Sequence, residues 1–407
     1  MTVPDSSAFG PVGPVGPEDP AGPEGRAVPA APEGRTDPAD RGGRTGSDDP
    51  AGSDDLAGPD NRADSDNRAD SDNRAERTER TGSHDSAAPG PTFAAGPANP
   101  AGSGGPVRID GPWTHRDVAA NGARFHIAEL GEGPLVLLLH GFPQFWWTWR
   151  HQLTALADAG FRAVAMDLRG VGGSDRTPRG YDPANLALDI TGVIRSLGEP
   201  DAALVGHDLG GYLAWTAAVM RPKLVRRLVV SSMPHPRRWR SSMLSDFAQS
   251  RAGSYVWGFQ RPWVPERQLV ADDAALVGRL IREWAGPRTP DFPDDATVDV
   301  YRRAMCIPST AHCSIEPYRW MVRSLARPDG IQFNRRMKLP VRVPTLHLHG
   351  SLDPAIRTRS AAGSGEYVEA PYRWRLFDGL GHFPHEEDPV GFSTELISWL
   401  KDPEPDR

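Results

Sequence analysis

The heptapeptide Val205-Gly206-His207-Asp208-Leu209-Gly210-Gly211 closes an apolar run, 202–208 (AALVGHD), and leads into a helical one, 210–220. Small residues at 206, 210 and 211 let the chain reverse sharply without side chains colliding. A strand–turn–helix of this kind pushes its central side chain into open space. That side chain is Asp208, a carboxylate where the pattern is usually written with Ser. Taken alone, the pattern also fits an aspartate that does no more than cap the helix after it.

Working outward, strands and helices alternate. Residues 123–130 form an early strand. Residues 134–140 (PLVLLLH) are continuously apolar, as a strand buried on both faces should be. A helix over 146–159 puts Trp149, Leu153 and Leu156 on one face, and 161–168 (FRAVAMDL) is the next strand. A helix over 185–197 precedes the elbow strand, and 225–233 (VRRLVVSSM) is a strand after it. The alternation stops at 234–342, rich in Trp, Arg and Pro, with helical stretches at 277–284 and 316–325. It resumes with strands at 344–349 and 373–377 and a last helix carrying Phe392, Leu396 and Leu400 on one stripe. Repeated βα units predict an α/β fold, a mostly parallel sheet with helices on both faces. The expected layout is a tail over 1–105, a core over 106–233 and 343–403, and a helical cap over 234–342. Ligands bind at the carboxyl ends of such strands.

Three further motifs end strands. His140-Gly141-Phe142-Pro143 follows the run at 134, Ser351-Leu352-Asp353-Pro354 the run at 344, and Gly379-Leu380-Gly381-His382-Phe383 the run at 373. Nucleophile, acid and histidine in this chain order match the triad of the α/β-hydrolase fold, and all three would converge on one edge of the sheet.

On these motifs the folded part resembles the epoxide hydrolases of the α/β-hydrolase superfamily, relatives of the haloalkane dehalogenases. HGFPQFWWTWRHQ (140–152) is similar to the family's oxyanion-loop signature and VGHDLGG (205–211) to its nucleophile motif. The resemblance implies Asp208 as nucleophile, His382 as base and Asp353 as its partner. It also implies the backbone N–H groups of Phe142 and Leu209 as oxyanion hole. SYVWGFQ (254–260) and PYRW (317–320) resemble the two segments that carry the family's cap tyrosines, implying roles for Tyr255 and Tyr318. A carboxylate attacks carbon and leaves an ester whose own carbonyl stays available for hydrolysis. Two neutral phenols can donate to the leaving alkoxide.

One position departs from the family. Many members carry Trp after the nucleophile, where this chain has Leu209, which lowers the dehalogenase alternative because Leu offers no donor to a halide. A non-catalytic ligand-binding protein of the same fold is the alternative of another class. Trp146, Trp147, Trp257 and Trp320 suggest a small apolar epoxide as substrate, with Trp257 and Trp320 expected to bind it.

The rest of the chain adds little chemistry. Residues 1–105 contain two aromatics, Phe9 and Phe93, and carry nineteen acidic residues against nine arginines. That is a net −10 in a chain of net −7, leaving about +3 elsewhere. NRADSD recurs with a six-residue period from Asn61, with almost nothing to bury, so a disordered tail is expected. No signal peptide and no membrane-spanning run is legible, so a cytoplasmic protein without membrane or nucleic-acid partners is expected. Cys306 and Cys313, with His312, match no zinc spacing. Arg169-Gly170-Val171-Gly172-Gly173 lacks the Lys of a phosphate loop, so no cofactor is expected. His207 reads as a packing residue, and His347 and His349, alternating with leucines on a strand, read as buried and hydrogen-bonded rather than as ligands. His385-Glu386-Glu387-Asp388 reads as the acidic opening of the last helix. Oligomeric state is open.

Overall fold

The computed structural model describes residues 105–289 and 291–403; the acidic tail expected over 1–105 lies, but for Gly105, outside the described residues. Among the described residues eight strands are formed: β1 (Thr114–Ala120), β2 (Ala123–Leu130), β3 (Leu135–Leu139), β4 (Arg162–Met166), β5 (Ala202–His207), β6 (Val225–Ser231), β7 (Thr345–Gly350) and β8 (Tyr372–Phe377). They make one sheet in the order β1-β2-β4-β3-β5-β6-β7-β8. β1, β2 and β4 pair antiparallel and every later pairing is parallel. β3 and β5 are buried at every position, which requires cover on both faces.

That cover is helical. α1 (Arg150–Asp158) packs on α13 (Pro389–Lys401), and α2 (Pro183–Ser196) on α3 (Leu209–Met220). Trp149, Leu153 and Leu156 are fully buried, so the stripe read over 146–159 is the one that packs. Between β6 and β7 the described residues form seven helices: α4 (Pro236–Ser245), α5 (Phe247–Ala252), α6 (Ser254–Gly258), α7 (Val264–Trp284, interrupted at 271–274), α8 (Asp295–Met305), α9 (Thr310–Arg323) and α10 (Pro328–Arg336). The short helices α11 (Thr358–Ala362) and α12 (Pro384–Glu387) complete the chain order.

β1 is a strand that hydrophobic periodicity did not reveal. Its sequence, THRDVAA, is mostly exposed because it lies at the sheet edge and pairs only with β2. The local signal was the turn: Asn121 and Gly122 both hold positive φ, 45° and 72°, as a two-residue hairpin demands.

Candidate active site

Asp208 follows β5 directly and stands at φ 46°, ψ −119°, where a side chain is rarely tolerated. The turn depends on its glycines. A Cβ on Gly206 would lie 2.4 Å from the Gly210 carbonyl oxygen, and one on Gly210 would lie 2.3 Å from that of Leu139. The carboxylate is buried, and its two oxygens differ. Oδ2 accepts from the Phe142 N–H at 3.0 Å and from the Tyr318 hydroxyl at 3.0 Å. The Leu209 N–H also bonds to this carboxylate. Oδ1 has no partner among the described residues. Burial pushes the carboxyl above its ordinary range, and His382 with these three donors pulls it back only in part.

His382 Nδ1 lies 2.8 Å from Asp353 Oδ2. A carboxylate only accepts, so Nδ1 carries the hydrogen and Nε2 is left as the basic nitrogen. Asp353 Oδ1 accepts the N–H groups of Ala355 and Ile356, each at 2.9 Å, which fixes the plane of the acid. Nε2 is buried and has no partner among the described residues. Burial opposes protonation of His382, but the charges of Asp353, Asp208 and Glu387 outweigh it and raise its proton affinity above the ordinary imidazole value.

Tyr255 on α6 and Tyr318 on α9 meet edge to face, ring centroids 6.1 Å apart. Tyr318 donates to Asp208. Burial first, and the Asp208 charge second, push both phenols well above their usual range, so both remain proton donors. An apolar cleft reaches the oxyanion donors, lined by Phe142, Leu168, Leu209, Met305, Cys313 and Pro317 among others.

The tryptophans expected to bind substrate do not line that cleft. Trp257 and Trp320 border a different groove, with Tyr212, Trp239 and Phe333. Each lies two residues beyond a site tyrosine on a helix, and a two-residue step of about 200° turns a side chain to the opposite face. Trp146 is buried with its indole N–H on the Val107 carbonyl at 2.7 Å, and Trp147 packs edge-on to Tyr301.

Several supporting residues escaped the sequence reading. Asp388 alone caps α13, through the Gly391 N–H at 2.9 Å. Glu386 and Glu387, expected at that positive helix end, turn inward instead. Glu386 Oε1 accepts from Gln144 at 2.5 Å, Thr148 at 2.8 Å and Tyr301 at 2.5 Å, and Oε2 from Arg150 at 2.6 Å. His140 Nδ1 donates to the Gly141 carbonyl and its Nε2 accepts the Leu168 N–H, both at 3.0 Å, so burial holds a neutral imidazole that braces the oxyanion loop. His347 Nδ1 contacts the Tyr372 hydroxyl at 3.1 Å, and His349 Nε2 donates to the Ile356 carbonyl at 2.9 Å. Arg169 is held by Asp189 at 2.5 Å. Among the described residues no cluster of three or more metal-ligating side chains occurs, and no helix is long and apolar enough to cross a membrane.

Comparison with known proteins agrees with this geometry. Residues 136–395 match the alpha/beta hydrolase family. The chain is 33% identical over 291 residues to epoxide hydrolase 3 of Xenopus tropicalis, covering 69% of this chain and 76% of that protein. It is 38% identical over 314 residues to epoxide hydrolase 1 of Siraitia grosvenorii, covering 70% and 98%. The crystal structure of epoxide hydrolase A from Mycobacterium thermoresistibile superposes with a TM-score of 0.63 at 28% identity, covering 72% of this chain and all of that one. With a carboxylate at the elbow, a histidine–aspartate pair across from it and two buried phenols above it, the chain belongs to the epoxide hydrolases of the α/β-hydrolase family.

Proposed function

We propose that this chain opens a small apolar epoxide through an ester on Asp208 and releases a vicinal diol. The observation that carries the reading is a buried carboxylate with one anchored and one free oxygen, beneath two protonated phenols. Asp208 Oδ1 attacks a ring carbon from behind while that carbon's bond to the epoxide oxygen breaks. The oxygen leaves with the bonding pair and takes its proton from Tyr255 or Tyr318. Oδ2 becomes the ester carbonyl and already lies on the Phe142 N–H. A water then attacks that carbonyl carbon as His382 Nε2 removes its proton, and Asp353 holds the imidazolium. Negative charge gathers on Oδ2 against the Phe142 and Leu209 N–H groups. Collapse breaks the ester bond to Oδ1 and expels the diol oxygen, which takes the proton from His382, while Asp208, released as the acid with the water's second proton, returns that proton to the phenolate of Tyr255 or Tyr318. Ester formation also removes the Asp208 charge that helps hold a proton on His382, so the base becomes freer as it is needed.

The test is a panel of epoxides, haloalkanes and esters under single-turnover conditions. Diol formation with a transient protein adduct equal to the epoxide mass is expected. Halide release from haloalkanes at a comparable rate would move the chain to the dehalogenases, and a pocket that binds without turnover would make it a ligand-binding relative.

A further inference from the structure

The geometry points to Glu387 as a positioning residue for the hydrolytic half of the reaction, a buried carboxylate that locks the catalytic histidine's backbone against the helical insertion. This inference rests on the ester mechanism proposed above. Glu387 is 2% exposed and belongs to no triad. Its Oε2 accepts the N–H groups of Gly381 and Gly286, each at 2.8 Å, and its Oε1 that of Phe383 at 2.9 Å. Gly381 and Phe383 flank His382, and Gly286 follows the end of α7. The same strap is tied a second time by the His382 N–H on the Trp284 carbonyl at 2.8 Å. From the other side His207 Nε2 donates to the His382 carbonyl at 2.8 Å. His382 is thereby held at both of its own peptide groups, at both neighbours and at Nδ1, which leaves Nε2 as the one free valence.

The contact leaves no room for slippage. A Cβ on Gly286 would lie 2.4 Å from the Gly381 nitrogen, and one on Gly381 would lie 2.3 Å from the Trp284 carbonyl oxygen. Trp284 in turn packs its ring edge-on to His382 and tilted against Tyr255, centroids 5.2 and 5.3 Å away. A carboxylate suits this junction because three N–H groups converge on it, and no other side chain of this size accepts from three donors without presenting one of its own. Its charge also acts on the base. The groups that bear on His382 are the carboxylates Asp353, Asp208 and Glu387, against the neutral imidazoles of His207, His349 and His385.

The experiment resolves ester formation from ester hydrolysis in single turnover for Glu387→Gln in the full chain. The amide keeps the volume, loses the charge and turns a donor toward one of the three N–H groups. Hydrolysis is expected to slow by about tenfold or more while alkylation stays within about twofold, since only the base is displaced. The acid limb of the hydrolysis profile should move to lower pH, because a negative charge that favours protonated His382 is gone. An equal loss in both steps, an unmoved limb, or hydrolysis within about twofold of the parent chain overturns the role. If Glu387→Gln fails to fold, Gly286→Ala displaces the strap without touching a charge. It should give the same split between steps with the limb unmoved, and equal loss in both steps, or none, overturns the proposal. Absence of any ester in the parent chain would count against the epoxide mechanism itself and is read separately.

Discussion

The inequality of the two Asp208 oxygens divides the labour of the reaction, because the bound oxygen is already placed where negative charge will gather and the free one is left to attack. Asp208→Ala should abolish epoxide turnover in a folded protein, and residual turnover within about tenfold of the parent would exclude Asp208 as nucleophile. His382→Gln should accumulate the ester, seen as a mass increase equal to the substrate; unchanged steady-state turnover would remove His382 from the base role. The hydrolytic step requires neutral His382, so its rate should climb with pH, and the resting imidazole, whose proton affinity is raised, should titrate above the ordinary value of about 6.5. In the ester the Asp208 charge is absent, so that limb should lie lower than the imidazole titration of the resting enzyme, which pH-dependent NMR of His382 can read. Tyr255→Phe and Tyr318→Phe should each slow ring opening, by up to about a hundredfold, with the double substitution nearly inert in alkylation. Tyr318→Phe should also raise the proton affinity of Asp208 further, since it deletes a donor to the charged form. Alkylation by the double variant at the parental rate would mark both phenols as packing residues.

Among elements, the oxyanion loop, α12 and α8 behave as one unit. Three of the six polar members of the 140–152 signature, Gln144, Thr148 and Arg150, converge on Glu386, and Tyr301 brings the helical insertion to the same carboxylate. This explains why a loop needed for the Phe142 N–H carries so many large side chains. Glu386→Ala would strand a partly buried guanidinium and three hydrogen-bonding groups, so a loss of about 3 kcal/mol is expected in chemical denaturation. A loss under about 1 kcal/mol would show that water replaces the carboxylate without strain.

For the molecule as a whole, charge and aromatic content divide at about residue 105, with −10 on one side and about +3 on the other. Every residue assigned to the reaction lies after that point. Removal of residues 1–104 is therefore expected to leave alkylation, hydrolysis and Tm unchanged. A drop of several degrees in Tm would show that the segment packs on the enzyme, since a few degrees correspond to about 1 kcal/mol for a domain of this size.

The elbow, the strand-end motifs at Asp353 and His382, and their order were legible in the sequence, because β3, β5 and β7 are buried strands that end in polar motifs, while β8, a largely exposed strand, was marked by the glycine-rich motif around His382 that follows it. Those signals are local. β1 escaped because an edge strand exposes most of its residues, and the placing of Trp257 and Trp320 in a groove apart from the cleft at Phe142 and Leu209 depends on helix facing, which proximity in sequence does not give. Glu386 and Glu387 looked like a solvated helix opening, since an acidic run carries no mark of the donors it will meet. Those donors come from positions up to 242 residues away, Gln144 to Glu386 being the longest reach. Residue types and their order therefore lay in the sequence, while which oxygen of Asp208 is free and what grips His382 are products of tertiary structure, because hydrogen bonds between distant segments exist only once the chain has closed on itself.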